Sequence, residues 1–229
     1  MKKILDIISQ APLFNGLSQE QLSQIRQIAI DKFYDKGKTV FLESDDCNGF
    51  YIVVSGKVKI YKVSLEGKEH ILHIYGPGNP FGEVPVFSGR KFPANAETIL
   101  KSHLLFIPRQ AFVDLISEHP SLTLNMLAIL SMRLRQFTVQ IENLSLKEIP
   151  ARLAAYLIYF ADEQATGDFV SLTISKGQLA SLLGTIPETL SRILGKMTQQ
   201  NLIQVGGRDI TLLDRNGLEE LAEHGKLHP

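Results

Sequence analysis

The hydrophobic period of this chain turns from strand-like to helical near Arg109, and that change constrains the fold more than any other feature. Before it, β-rich runs recur at residues 50–54, 57–63, 70–75 and 103–107. Ser55-Gly56, Glu66-Gly67, Gly76-Pro77-Gly78 and Ser88-Gly89 separate them with turn chemistry. Residues 57–63 alternate polar and apolar, the pattern of a strand with one wet face. Many short antiparallel strands at this spacing predict a barrel, jelly roll or sandwich. Ahead of them, about the first thirty residues read as short helices, one capped at Ser18.

After Arg109 the period is helical. Pro120 opens a helix predicted to run to Leu146. Leu127, Leu130, Leu134, Phe137, Ile141 and Leu144 recur at alternating spacings of three and four. That is an a/d seam, narrower than a core-facing stripe, so it predicts a homodimer joined along this helix. Met126, Ile129 and Val139 lie off the seam and are expected against the chain's own β domain. Pro150 disfavours helix in the residue before it, so the long helix breaks near residue 147 and a new one covers 151–164. The resulting organisation is α+β: a sensing domain over 1–118, a dimerisation helix over 119–146 and a third region over 147–229.

That third region carries the functional motif. Ser175 caps a helix over 176–183, Gly184-Thr185 turns, and Pro187 opens a second helix to about residue 200. Apolar runs at 202–205 and 209–213 flank Gly206-Gly207 as a β-hairpin, which makes a winged helix-turn-helix. On the second helix Leu190, Ile193, Leu194 and Met197 form an inner face. Glu188, Ser191, Arg192 and Lys196 share another face. A major-groove reader needs arginine for guanine, a carboxylate for cytosine N4 and hydroxyls for bases or phosphates. The competing reading is a helical hairpin with a solvated charged face, in a ligand-binding or interaction module that reads no DNA. The wing, the seam and the domain order favour a DNA-reading dimer over it.

Composition narrows the rest. The chain has 229 residues, formal net charge zero and one cysteine, Cys47. One thiol forms no internal disulfide and cannot supply the four thiolates of an iron–sulfur cluster, and it suits the cytoplasm. No run reaches the ~18–20 apolar residues of a membrane span. Taken over the whole chain, zero net charge argues against a DNA partner, yet it hides a local patch. Residues 176–208 hold four basic residues against one acidic, and adding Asp209 leaves +2.

The layout of β-roll, long helix and winged helix-turn-helix resembles the cyclic AMP receptor protein/fumarate-nitrate reductase regulator (CRP/FNR) family. The resemblance rests on the run from Phe50 to Val58, on Gly76-Pro77-Gly78-Asn79-Pro80-Phe81-Gly82-Glu83, and on Pro187-Glu188-Thr189-Leu190-Ser191-Arg192. It implies an N-terminal jelly-roll fold of the cyclic-nucleotide-binding type, a palindromic double-stranded DNA operator and RNA polymerase as a partner. The register of Glu188, Ser191 and Arg192 is similar to the branch reading TTGAT-type half-sites. By the same resemblance Lys176, Thr185 and Thr189 contact phosphates, as would the basic Lys196 and Arg208.

Family members that bind cyclic nucleotide follow Phe-Gly-Glu with an Arg-Ser/Thr-Ala triplet. This chain keeps Phe81-Gly82-Glu83 but reads Lys91-Phe92-Pro93-Ala94 where the triplet falls, and Phe137-Thr138 replaces the polar pair facing the adenine. A phosphate in a pocket lined by Phe92 would be poorly paired, which argues against cyclic AMP and leaves Glu83 as a structural remnant. Residues 141–147, 69–73 and 92–94 resemble the nitric-oxide-responsive, haem-associated DNR-type branch. That resemblance implies haem with His70, His73 or Met126 as ligand candidates, His103 and Met132 standing behind them. A small organic effector in the same pocket, lined by Phe81, Gly82, Glu83, His73, Phe92, Phe137 and Thr138, stays open. An enzyme of the cupin type would need two histidines on one strand face. His70 and His73, three apart, fall on opposite faces unless a bulge intervenes, so no catalysis is expected.

Overall fold

The structure, a computed structural model, describes residues 2–14, 16–164 and 167–225. The chain divides into two units, 1–134 and 135–229.

The first unit begins with α1 (Lys2–Gln10) and α2 (Gln19–Ile28). Ser18 and Gln21 close a reciprocal capping box at the start of α2, satisfying two otherwise orphan donors. The strands follow as β1 (Ile30–Tyr34), β2 (Thr39–Phe41), β3 (Gly49–Ser55), β4 (Val58–Val63), β5 (Glu69–Tyr75) and β6 (Pro80–Phe81), of which β3, β4 and β5 match runs expected from the sequence. After α3 (Val84–Ser88) come β7 (Asn95–Thr98) and β8 (Ser102–Pro108). They form two four-stranded antiparallel sheets, ordered β1-β8-β3-β6 and β2-β7-β4-β5. Then α4 (Arg109–Glu118) leads to α5 (Pro120–Leu146), the long helix at its expected bounds.

Strand alternation sorts the core into two. Phe50, Ile52 and Val54 of β3 join Leu105, Ile107 and Phe112 in a cluster with α1, α2 and α5. Val53, with Tyr51 packed beside it, faces Phe41, Phe81, Phe92, Ala96 and Leu104 between the sheets. Each fully buried Phe or Ile contributes roughly 1.5–3 kcal/mol. Met126 and Ile129 pack into the helix-side cluster as expected. Val139 does not: it is exposed and belongs to the second unit.

In the second unit α6 (Ile149–Glu163) follows a break at residues 147–148 and begins two residues earlier than expected, because Pro150 is tolerated in its first turn. A three-stranded sheet, ordered β10-β11-β9, joins β9 (Phe169–Ser171) to the wing hairpin of β10 (Ile203–Gly206) and β11 (Asp209–Leu212). The two helices of the motif are α7 (Lys176–Leu182) and α8 (Pro187–Gln199), and α9 (Arg215–His224) closes the chain against α6. The turn between α7 and α8 is a Schellman motif. Thr185 N–H donates to Ala180 O at 2.9 Å and Gly184 N–H to Ser181 O at 3.2 Å, with Gly184 at φ 73°. A side chain at Gly184 would be strained in that conformation.

Candidate DNA interface and effector pocket

α8 presents the two faces its sequence predicts. Leu190, Ile193, Leu194 and Met197 are buried, while Glu188, Ser191, Arg192 and Lys196 are exposed on the outer side. Pro187 in the first turn needs no hydrogen-bond partner, and Glu188 sits at the positive end of the helix dipole. Lys176 opens α7 and is exposed; Thr185, in the turn, and Thr189 are half-buried. Arg208 stands exposed at the tip of the wing, whose backbone is tied down by Leu172 N–H donating to Arg208 O at 2.9 Å. The described geometry therefore offers a carboxylate, a hydroxyl and a guanidinium on one helix, flanked by three cations.

Four of the predicted seam residues are open to solvent: Leu127, Leu134, Phe137 and Ile141 are 42–69% exposed. Leu124 extends the stripe. Leu130 is half-buried because it leans on the chain's own helix-side core, and Leu144 is half-buried in the second unit.

Phe81, Gly82, Glu83, His73 and Phe92 all belong to the first unit. Phe92 stacks on Phe41 with centroids 3.8 Å apart at 7°. A Cβ on Gly82, which has φ 75°, would lie 3.1 Å from the Phe41 ring and 3.2 Å from Phe92. Gly82 therefore lies tight against the Phe41–Phe92 stack. Tyr51 and Tyr75 flank Phe81 at 5.3 and 5.9 Å, and His73 packs 4.3 Å from Tyr75. Burial, reinforced by the Arg133 charge, pushes the His73 imidazole down to about 4, so it is neutral at pH 7. Burial pushes the Tyr75 phenol up to about 12. Phe137 and Thr138 belong to the second unit and are exposed there.

Glu83 is not an idle remnant. Its side chain is fully buried, forms an ion pair with Arg133 of α5, and leaves Oε2 without a hydrogen-bond partner. Arg133 also donates to Pro80 O and lies 4.9 Å over the Tyr75 ring. The sequence reading missed Arg133. Its signal was a lone cation in the apolar stretch 122–134, where a charge needs a buried partner.

The ligand candidates separate. His73 packs beside Tyr75, whereas Met126 packs in the helix-side core. His70 is half-buried beside Lys62 in register. His103 hydrogen-bonds Asp31 at 2.7 Å and stacks on Phe33, and Met132 is exposed. Between His70 and His73 the pairing shifts: Ile60 opposes His73 and Tyr61 opposes Ile71, leaving Leu72 as a bulge. The bulge breaks the alternation that was expected to part the two histidines. Among the described residues no group of three or more His, Cys, Asp or Glu side chains is placed to hold a metal ion. Cys47 is half-buried, donates to Gly49 O at 3.2 Å, and burial raises its thiol away from reactivity. Among the described residues no helix is long and apolar enough to cross a membrane.

Two family models match this chain: the cyclic nucleotide-binding domain over residues 31–119 and the Crp-like helix-turn-helix domain over residues 151–221. The chain is 31% identical to the cyclic AMP receptor protein of Thermus thermophilus, across 93% of this chain and 97% of that protein. It is 29% identical to the fumarate and nitrate reduction regulatory protein of Escherichia coli, across 95% and 88%. Its fold superposes on FixK2 of Bradyrhizobium japonicum with a TM-score of 0.76, at 24% identity, covering 88% and 100% of the two chains. With a roll, a long helix and an exposed reading face in the order those matches require, the chain belongs to the CRP/FNR family of DNA-binding transcription regulators, a family of regulators and not of enzymes.

Proposed function

We propose that this protein is a cytoplasmic, homodimeric regulator that reads TTGAT-like palindromes and is gated by a diatomic gas such as nitric oxide bound to haem. The observation that carries DNA reading is the outer face of α8. Glu188 and Arg192 project from it to base edges, Ser191 assists, and Lys176, Thr185, Thr189, Lys196 and Arg208 hold phosphates. The exposed stripe of Leu127, Leu134, Phe137 and Ile141 supports a second copy of the chain along α5. Two reading heads then address half-sites about one DNA turn apart, and RNA polymerase is the downstream partner.

For the effector, His73 supports haem. A neutral imidazole half-buried beside Tyr75 is the donor that iron takes without first losing a proton. Bound haem would supply an iron that takes a diatomic ligand. The protein's part would be to hold His73 neutral and to pack Tyr75 beside it. A change in the pocket would reach α5 through Arg133, biasing two arrangements of the dimer seam.

A second reading has its own observation. Glu83 Oε2 is buried and unpartnered, so an organic effector with an O–H or N–H donor would satisfy it. Phe92 against Gly82 disfavours a cyclic phosphate, although the Thermus relative carries cyclic AMP in its name. Titration of the purified protein with hemin, with cyclic AMP as the parallel arm, tests these readings. The haem reading expects a Soret band that Ala in place of His73 abolishes or shifts. A Soret band unmoved by that change, or none after reconstitution, refutes it.

A further inference from the structure

One side chain joins the segments that bear the reading helix. Arg152, half-buried in the first turn of α6, donates to three backbone carbonyls. Its Nη2 reaches Leu144 O at 2.7 Å, its Nε reaches Lys147 O at 2.9 Å, and its Nη1 reaches Leu183 O at 3.0 Å. Leu144 lies in the last turn of α5, Lys147 in the junction after it, and Leu183 is the C-cap residue of α7. The two helix-end carbonyls have no intrahelical acceptor role left to fill, and both carry the negative end of a helix dipole. A rigid guanidinium fork can serve three diverging oxygens at once, and a lysine ammonium cannot span them. Leu183 directly precedes the Gly184 turn from which α8 departs.

We propose that Arg152 is a positioning residue for operator recognition: it locks the departure point of the recognition helix to the end of the long helix, and so sets which half-site spacing the dimer accepts. The proposal rests on the DNA-reading function above. One added base pair moves a half-site by roughly 3.4 Å and turns it by roughly a tenth of a helical turn. A locked joint rejects that displacement, and a released one follows it.

The test uses the full-length protein and a palindrome that the wild type selects from a random duplex pool. Binding is measured to that palindrome, to versions with its spacer lengthened or shortened by one base pair, and to a duplex with one half-site. The wild type is expected to lose roughly tenfold or more on either altered spacer, the size of a misplaced base contact. Arg152→Met should reduce that discrimination to about threefold or less while single half-site affinity stays within about twofold, and Arg152→Lys should fall between. Unchanged spacer discrimination overturns the proposal. So does a loss of half-site affinity as large as the loss on the palindrome, which would make Arg152 a plain fold support. Amide hydrogen exchange gives a readout without DNA. In Arg152→Met, exchange should rise together at residues 144–149 and 183–186 and nowhere else in residues 135–225. Unchanged protection there, or a rise throughout, overturns the joint. A wild type that selects no palindrome overturns the DNA reading, and the exchange experiment still decides whether Arg152 joins these segments.

Discussion

Removing Arg133 isolates the energetics of the buried ion pair between Glu83, at the start of α3, and Arg133 of α5. The Glu83 side chain is 1% exposed and that of Arg133 15%, so water replaces neither partner. Changing Arg133 to Met keeps the length and removes the charge, stranding a carboxylate that already has one oxygen unpaired. Breaking one side of a buried pair costs about 3–5 kcal/mol. Loss of the cation over Tyr75 adds about 0.5–2 kcal/mol. Glu83→Gln is the milder change, at about 1–3 kcal/mol, because an amide tolerates burial better than an unpaired charge. The double variant should lie within about 2 kcal/mol of wild type, giving a coupling of a few kcal/mol in a double-mutant cycle. Urea denaturation at pH 7, followed by near-ultraviolet circular dichroism of the tyrosines, reads all four proteins. A cost below about 1 kcal/mol for Arg133→Met, or additive single effects, would refute the reasoning.

Four further outcomes follow from the same geometry. His73 titrates near 4 when folded and near 6.5 when unfolded, so the unfolded chain binds the extra proton between those values. Stability should therefore be full above about pH 6.5 and fall by up to about 3 kcal/mol as pH drops towards 4, and His73→Leu should flatten that limb. Arg192→Ala should cost about 1–3 kcal/mol on the selected operator and relax preference at one base pair, read by competition binding. Phe92→Ala should destabilise the sensing domain by about 3–5 kcal/mol in urea denaturation, since Phe92 is buried face to face with Phe41. Leu134→Glu with Ile141→Glu should move the protein from dimer to monomer in sedimentation at micromolar concentration, with the circular dichroism spectrum unchanged.

Much of the architecture is legible in the sequence because local signals agree with the fold. The capping boxes at Ser18 and Ser175 and the helix from Pro120 to Leu146 stand where periodicity and capping residues put them. The reading face of α8 is legible for the same reason: its inner and outer residues separate at helical spacing. Short elements are not. β2 and β6 have three and two residues, too few to show a period, and they exist because neighbouring strands complete them. The Leu72 bulge is equally silent, since it is a property of the pairing between β4 and β5. The pocket was half legible. Glu83 kept the family pattern and Phe92 departed from it, but Arg133 and Tyr75 come together beside Glu83 only through the fold. Arg152 reads as one more helical arginine until its three carbonyl partners are placed around it.

The central claim is that two copies of α8 read a palindrome. Its most direct measurement is selection of duplexes from a random pool by the purified protein, loaded with hemin and without it, followed by sequencing. The account predicts an enriched palindrome of TTGAT-like half-sites about one helical turn apart, lost with Arg192→Ala at the base pair it reads. A pool that stays random under both conditions, or enrichment of a single unpaired half-site, would contradict it.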